Sequence, residues 1–350
     1  MSWMAETLEI NGEAILPGTN TTLELQLPEL YTRTPMTMPV HVRRGRRAGP
    51  NLFVCAAVHG DELNGVEIIR RLMRRRALGR LRGTIIAVPM VNVYGVIDRS
   101  RYLPDRRDLN RSFPGSGRGS LAARLADLFM NEIVANCTHG IDLHTGAINR
   151  GNLPQVRGNL DDPETLRLAR LFGVPVLINA DLRDGSLREA AAARGIPMLL
   201  YEAGEALRFD EVSIRAGVQG ILNVMRGLEM LPPTRSRRRT IREPFVARSS
   251  SWVRAPASGI FHPSVALGAH VKKGDLLGTI MQLSGSSDSE VRASNGGIVI
   301  GRSNLPLVLE GEALFHVASF EDLREVAVQV ERFRSTHEEA IESDGEPGIV

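Results

Sequence analysis

The chain has 350 residues with a net charge of +3, and 43% of it is hydrophobic and 24% charged. That is ordinary globular usage, which excludes global disorder and fibrous repeats and leaves room for two or three domains of roughly 100–200 residues. No stretch reaches the ~18 uncharged apolar residues of a membrane span.

The opening Met1-Ser2-Trp3-Met4-Ala5-Glu6 shows neither a basic leader nor an apolar core. Two cysteines, Cys55 and Cys137, exclude a disulfide framework and fit a reduced interior, so the expected location is cytoplasmic. Of 43 basic residues only Lys272 and Lys273 are lysines, an arginine skew that reads as compositional bias rather than a nucleic-acid signal.

Residues 1 to about 50 alternate short apolar runs with Gly, Pro and Thr, as in Leu23-Glu24-Leu25-Gln26-Leu27, and predict strands or hairpins ahead of the main fold. Leu52-Phe53-Val54-Cys55-Ala56-Ala57-Val58 is a continuous apolar run of strand length. After a turn, apolar residues at 66, 69, 72 and 73 recur at helical spacing, and Arg70, Arg71, Arg74, Arg75 and Arg76 form the expected wet face. No aromatic residues interleave them, which argues against a nucleic-acid surface.

A second strand-like run covers Thr84–Val91, a helical pattern Leu121–Cys137, and short apolar runs 140–143, 174–178 and 197–201. A helix is expected from Val212 to Leu228. Buried strands alternating with helices predict an α/β fold with a mostly parallel sheet covered by helices on both faces.

At Leu231-Pro232-Pro233-Thr234-Arg235 the pattern breaks into a solvated linker. Short β runs separated by Gly, Pro and Ser then continue to about 320 and predict a small all-β domain. Residues 321–335 read as helical and 338–347 as a frayed acidic tail. The expected division is an α/β domain with its β extension over 1–235, a β-sandwich over 236–325, and a helix with tail over 326–350.

Three chemically loaded segments fall at the carboxyl ends of predicted strands, where open parallel sheets place their ligand sites. His59 and Glu62 stand in His59-Gly60-Asp61-Glu62, three apart, with Gly60 easing the turn between them. His144 follows Ile141-Asp142-Leu143, and Glu202 follows Leu199-Leu200-Tyr201. His59, Glu62 and His144 make three protein ligands and leave a fourth position open, the pattern of catalytic zinc. Asp142 is placed to orient the His144 ring or simply to end its strand. A loop, Arg101 to Gly115, sets several arginines beside Asn110, a combination that suits carboxylate capture or oxyanion stabilisation.

Together, HGDELNG, DLNRSFPG, DLHTG and YEAG occur in an order and spacing that resemble the succinylglutamate desuccinylase/aspartoacylase family, within the zinc carboxypeptidase superfamily, over about residues 40–320. The resemblance implies a zinc carboxypeptidase-like fold and zinc-dependent hydrolysis of the linear amide bond of an N-acyl amino acid. It implies one Zn2+ per chain on His59, Glu62 and His144, with Glu202 as general base. Asn110 and Arg111 would grip the substrate carboxylate, and Arg101, or Arg107 in its place, would polarise the carbonyl. Within the family, the long loop and the appended β domain resemble a member type that deacylates acetylated diaminobutyrate. The partner implied is a small molecule, with neither nucleic acid nor membrane, and self-association into a homo-oligomer is left open.

The segment Ala255-Pro256-Ala257-Ser258-Gly259 with Gly268–Asp275 resembles a biotinyl/lipoyl-type sandwich. No lysine occupies the turn around Met281–Ser286 where a carrier would need one, so a structural role beside the active site is expected. Two other readings compete with the deacylase. One is a metallocarboxypeptidase acting on peptides or cell-wall stems through the same metal site. The other is a non-catalytic binding module, against which the intact His59, Glu62, His144 and Glu202 argue.

Overall fold

The computed structural model of the chain describes residues 8–233, 244–247, 249–282, 288–321 and 323–344. The expected β extension consists of a hairpin, Leu8–Ile10 with Glu13–Ile15, and an antiparallel pair, Asn20–Gln26 with Thr37–Arg44. Leu23, Leu25 and Leu27 turn inward while Glu24 and Gln26 are exposed, the period-2 pattern of a strand with one wet face.

That pair starts the main sheet, which continues through Arg82–Val88, Arg47–Ala56, His139–Gly146, Met198–Glu205 and Arg150–Gly158. The four strands from Arg82–Val88 to Met198–Glu205 are parallel. Thr37–Arg44 and Arg150–Gly158 flank them antiparallel. The sheet is therefore mixed, with a parallel centre, where a mostly parallel one was expected. The difference lies in Arg150–Gly158, whose Gly, Asn, Pro and Gln give no strand signal yet whose residues are largely buried. Only three residues separate it from His139–Gly146, too few for a parallel crossover, so the chain returns antiparallel against Met198–Glu205.

Two-sided burial explains the uninterrupted apolar run at 52–58. Phe53 and Cys55 join one core with the helices Leu121–Glu132 and Leu187–Ala193. Leu52, Val54 and Ala56 join the opposite core with Asn64–Met73, Pro163–Phe172 and Glu211–Gly227. Phe53 meets Phe129 edge-on at 6.1 Å.

The arginine-rich helix is shorter than its charge run, ending at Met73. Arg71 is not on a wet face: it bonds Glu67 and Glu211, each at 2.6 Å, and ties this helix to Glu211–Gly227.

Of the predicted linker, residues 234–243 lie outside the described part. Phe245–Ala247 then pairs with Val176–Asn179 at the sheet's outer end. The following strands form two layers around Phe261, Leu277, Ile280, Leu314 and Phe315. One layer, Ser249–Arg254, Ala313–Ser319 and Gly297–Ser303, pairs directly onto Arg150–Asn152, so the main sheet runs unbroken into the C-terminal β region. The other is four-stranded. Of the turn around Met281–Ser286, residues 283–286 lie outside the described part.

The last helix covers Leu323–Asp344 and inserts Val326 and Val330 against Leu153, Ile298 and Ile300. It thus continues through most of the stretch expected as a frayed tail. Glu and Ala at 338–340 are good helix formers, and charge alone does not break a helix.

Candidate active site

The three motif-bearing strands are immediate neighbours, which brings residues distant in sequence onto one face. The strand Arg47–Ala56 ends next to Ala57, whose φ of 50° lies in the left-handed region and turns the chain toward His59. Gly60 is required by packing: a Cβ there would lie 2.0 Å from the backbone carbon of Gly95. Asn64 opens the next helix and donates to Ala203 O at 3.1 Å while accepting from Asp210 N at 3.0 Å. This ties the HGDELNG segment to the strand that carries Glu202. His144 and Glu202 stand opposite each other in parallel register, so their side chains share a face.

His59, Glu62 and His144 meet below the surface, with candidate ligand atoms all within 4.8 Å of one another. Glu62, 2% exposed, receives His59 Nδ1 on one oxygen at 2.7 Å and His144 Nδ1 on the other at 2.8 Å. Thr145 N also donates to it, at 3.0 Å. The far nitrogen of each ring faces another acid. His144 Nε2 lies 2.7 Å from Asp142 and His59 Nε2 lies 3.2 Å from Asp108. Cys55 Sγ donates to the second oxygen of Asp142 at 3.3 Å.

Arg101 reaches the same cluster, bonding Asp108 at 2.9 Å and lying 3.4 Å from Glu62. Burial pushes the Glu62 carboxyl up, but the two imidazoles outweigh it and hold the group far below the usual carboxylate range. Burial disfavours charge on both rings, yet the adjoining carboxylates raise both above the ordinary histidine value.

The donor set fits a cation. Glu62, Asp108 and Asp142, with Asp61 beside them, set four carboxylates against the guanidinium of Arg101, so with neutral rings the excess negative charge favours a divalent cation. Both Nδ1 atoms face one carboxylate, and both Nε2 atoms are occupied by acids that would fix the tautomer of a ligating imidazole. Asp61 lies alongside with one oxygen unpartnered, its carboxyl raised by burial and by Glu62.

Glu202 is half-buried and accepts from Asn152 Nδ2 at 2.8 Å. Asn110 is buried in the loop, but its side-chain oxygen is engaged with Leu187 N at 3.0 Å. Arg111 is exposed and donates to Asn110 O. Arg107 is exposed, its contact Asp105 at 3.8 Å, so Arg101 rather than Arg107 stands at the cluster.

Sequence reasoning did not single out Asp108, Asn152 or Gln155. Asp108 sits inside the arginine-bearing loop, where its Oδ1 accepts from Asn110 N at 2.8 Å. Asn152 and Gln155 belong to the strand that composition concealed. A surface cleft rimmed by Arg43, Arg44, Arg47, Arg82 and Arg226 lies at the opposite ends of the parallel strands, away from this chemistry.

Residues 48–228 match the sequence model of the succinylglutamate desuccinylase/aspartoacylase catalytic domain. N-alpha-acetyl-L-2,4-diaminobutyric acid deacetylase of Halomonas elongata is 29% identical over 296 residues, 79% of this chain and 84% of that protein. Among solved structures, a succinylglutamate desuccinylase/aspartoacylase from Rhodobacter sphaeroides superposes with a TM-score of 0.79 at 26% identity, over 92% of this chain and all of that one. The ectoine utilization protein EutE from Ruegeria pomeroyi, in a product-bound structure, shares the fold with a TM-score of 0.78 at 23% identity, over 90% of this chain and all of the other. With more than half of its length matched by the family's catalytic domain, the chain belongs to the succinylglutamate desuccinylase/aspartoacylase family.

Proposed function

We propose that the protein is a zinc-dependent amidohydrolase that cleaves the linear amide of an N-acyl amino acid. The observation that carries this reading is the buried convergence of His59, Glu62 and His144 beside Glu202, in a family whose named relatives include an N-acetyl amino acid deacetylase. Two imidazole nitrogens and a carboxylate oxygen form a donor set suited to one zinc ion, with a coordination position to spare. Zinc in such a site supplies Lewis acidity toward water and toward a carbonyl oxygen.

The chain's own residues supply the rest. Glu202 takes the proton of the attacking water and returns it to the departing amine. Asn152 holds one of its carboxylate oxygens and leaves the other for that transfer. Arg101, steadied by Asp108, presents a guanidinium where negative charge develops on the carbonyl oxygen. Asp142 and Asp108 hold the outer nitrogens of the two imidazoles. Asn110 shapes the loop through its bond with Leu187 N, and Arg111 stands exposed at the loop's surface, donating to Asn110 O.

The resemblance of the halomonad deacetylase over most of both chains favours an acetylated amino acid such as acetylated diaminobutyrate as substrate. The C-terminal β region, read as a biotinyl/lipoyl-like sandwich over 236–325, serves as a wall of the site rather than a carrier. We take 1–235 as the catalytic unit and 326–350 as the closing helix and tail. A cytoplasmic location agrees with two buried free cysteines and with the absence, among the described residues, of any helix long and apolar enough to cross a membrane.

The test is zinc content measured together with acid release from a panel of N-acyl amino acids. Stoichiometric zinc with release of acetate or another acid is expected. A preparation that holds zinc but cleaves only peptides would transfer the site to the carboxypeptidase reading.

A further inference from the structure

Next to the zinc-type cluster, on the same face of the sheet, lies a second polar group of opposite character. Glu202 stands opposite Gln155, and Gly204 opposite Asn152. Residues 202–204 of one strand thus span the four residues 152–155 of the other, a β-bulge that puts Asn152 and Gln155 on the face of Glu202 and His144. The row continues into the C-terminal β region, where Asn152 pairs with Gly301, Gly301 with His316, and His316 with Trp252. Gly301 leaves room there: a Cβ would lie 3.1 Å from both Asn152 Oδ1 and His316 Cβ. The Trp252 and His316 rings stack at 4.4 Å, and the Arg150 guanidinium covers the indole at 4.6 Å. Arg157 and Arg188 complete the surroundings, both within electrostatic reach of this group.

What marks this recess is unmet hydrogen bonding. Gln155 is 0% exposed, and neither its side-chain oxygen nor its nitrogen has a partner. His316 is 6% exposed with Nδ1 unpartnered, and Nε of both Arg150 and Arg157 is buried without a partner. Among the described residues Arg157 forms no ion pair. Buried polar groups are rarely left so, because each forgone bond costs stability. Burial, with Arg157 and Arg150 nearby, lowers the His316 pKa to about 3, so the ring is neutral and one of its nitrogens accepts. Arg150, Arg157 and Arg188, with Arg183 nearby, outnumber the two acids in reach, Glu202 and Asp181, so the local charge favours an anion. Glu202, Arg150 and Arg157 are each half-buried, which shields the recess without sealing it.

We infer that this recess receives a carboxylate of the substrate, with Arg157 and Gln155 as its donors and the stacked Trp252–His316 pair as its back wall. Gln155 is two strands from His144, about 10 Å at ~4.8 Å per strand, which is the reach of an amino acid whose amide lies at the metal cluster. The recess therefore sets specificity: a substrate of the proposed reaction must carry a carboxylate a few bonds from the scissile amide. The C-terminal β region contributes directly through His316 and Trp252. This inference rests on the proposed deacylase reading for the position of the amide, but not for the anion site itself.

The test compares three substrate types: N-acetyl amino acids, their primary carboxamides, and N-succinyl alkylamines, which carry the only carboxylate on the acyl half. Wild type should prefer a carboxylate-bearing type over the carboxamides by about 10- to 100-fold in kcat/KM, the worth of one or two charge-assisted hydrogen bonds. Whichever half gives the preference identifies the carboxylate that enters. In Arg157→Gln and Gln155→Met the preference should collapse to within about 3-fold, through KM rather than kcat, with zinc content unchanged. Arg157→Lys, which keeps the charge and the fold but not the fork, should fall between. An unbiased wild type, or variants that lose equally on all three types, would overturn the assignment.

Binding is read separately on a Trp3→Phe background, where Trp252 is the sole tryptophan. A free amino acid should change its fluorescence saturably, its amide should not, and Arg157→Gln should abolish the response. If no N-acyl amino acid were hydrolysed yet this response appeared, the anion recess would stand and the catalytic reading would fall. Turnover without any such response or preference would do the reverse.

Discussion

Two polar clusters share one sheet face two strands apart, and they differ in how their hydrogen bonds are met. Around Glu62 every imidazole nitrogen faces a carboxylate and Arg101 closes the ring. Around Gln155 its own amide, His316 Nδ1 and Nε of Arg150 and Arg157 are buried with no partner among the described residues. A saturated cluster is already organised for a cation, whose binding needs only loss of protons and a small shift of the donors. A starved one bears a standing cost that a ligand relieves. The first therefore marks chemistry that belongs to the protein, and the second marks a place left for what the protein binds.

The contrast is broken most severely at its saturated pole. Glu62→Gln keeps a hydrogen-bonding side chain but removes the charge shared by the two imidazoles. It should strip zinc to well below stoichiometry, as metal analysis would show, and with it all measurable hydrolysis. Retained zinc would show that the metal site lies elsewhere. Glu202→Gln should leave zinc in place and lower kcat by about 10²- to 10⁴-fold, the usual worth of a general base. Wild-type turnover in that variant would remove Glu202 from the reaction.

A smaller effect belongs to the residues behind the ligands. Asp142→Asn keeps the shape but can no longer hold the His144 proton as an anion. Zinc affinity, measured by competition with a chelator, should weaken by about 10- to 100-fold. An unchanged affinity would reduce Asp142 to a strand residue that shares a hydrogen bond with Cys55.

The same contrast separates what could be read in the sequence from what could not. His59, Glu62, His144 and Glu202 were legible because each closes an apolar strand-length run, and such runs announce both strand and end. Asp142 was visible beside His144, its role open. Asp108 was hidden among arginines, since a loop has no periodicity to say which side chain turns inward. The strand Arg150–Gly158 was illegible: Leu153 and Val156 join cores, but its other buried positions hold Gly, Asn, Pro and Gln, and Asn152 and Gln155 turn polar side chains to the face of Glu202. His316 and Trp252 lie far along the chain and reach the site only through pairing across Gly301, which no local pattern encodes. The signals that fix a fold are apolar and regular, so the residues that bind a polar ligand are the ones such signals miss.

The smallest expected effect is the most diagnostic of that difference, because its sign opposes the ordinary expectation for a buried change. Replacing Gln155 by Leu removes an amide that is fully buried and unpartnered, and puts an apolar group of similar volume in its place. Where a buried polar group serves the fold, such a change destabilises. Here no bond is lost, and the desolvation cost of the amide is relieved. The variant should therefore be more stable by about 1 kcal/mol in denaturant unfolding of the ligand-free protein. A matched change at Asn152, which bonds Glu202, should go the other way by a similar amount. If Gln155→Leu instead unfolds the protein more easily, the amide serves the packing of the bulge, and the unmet bonds around it do not mark a place held open for a ligand.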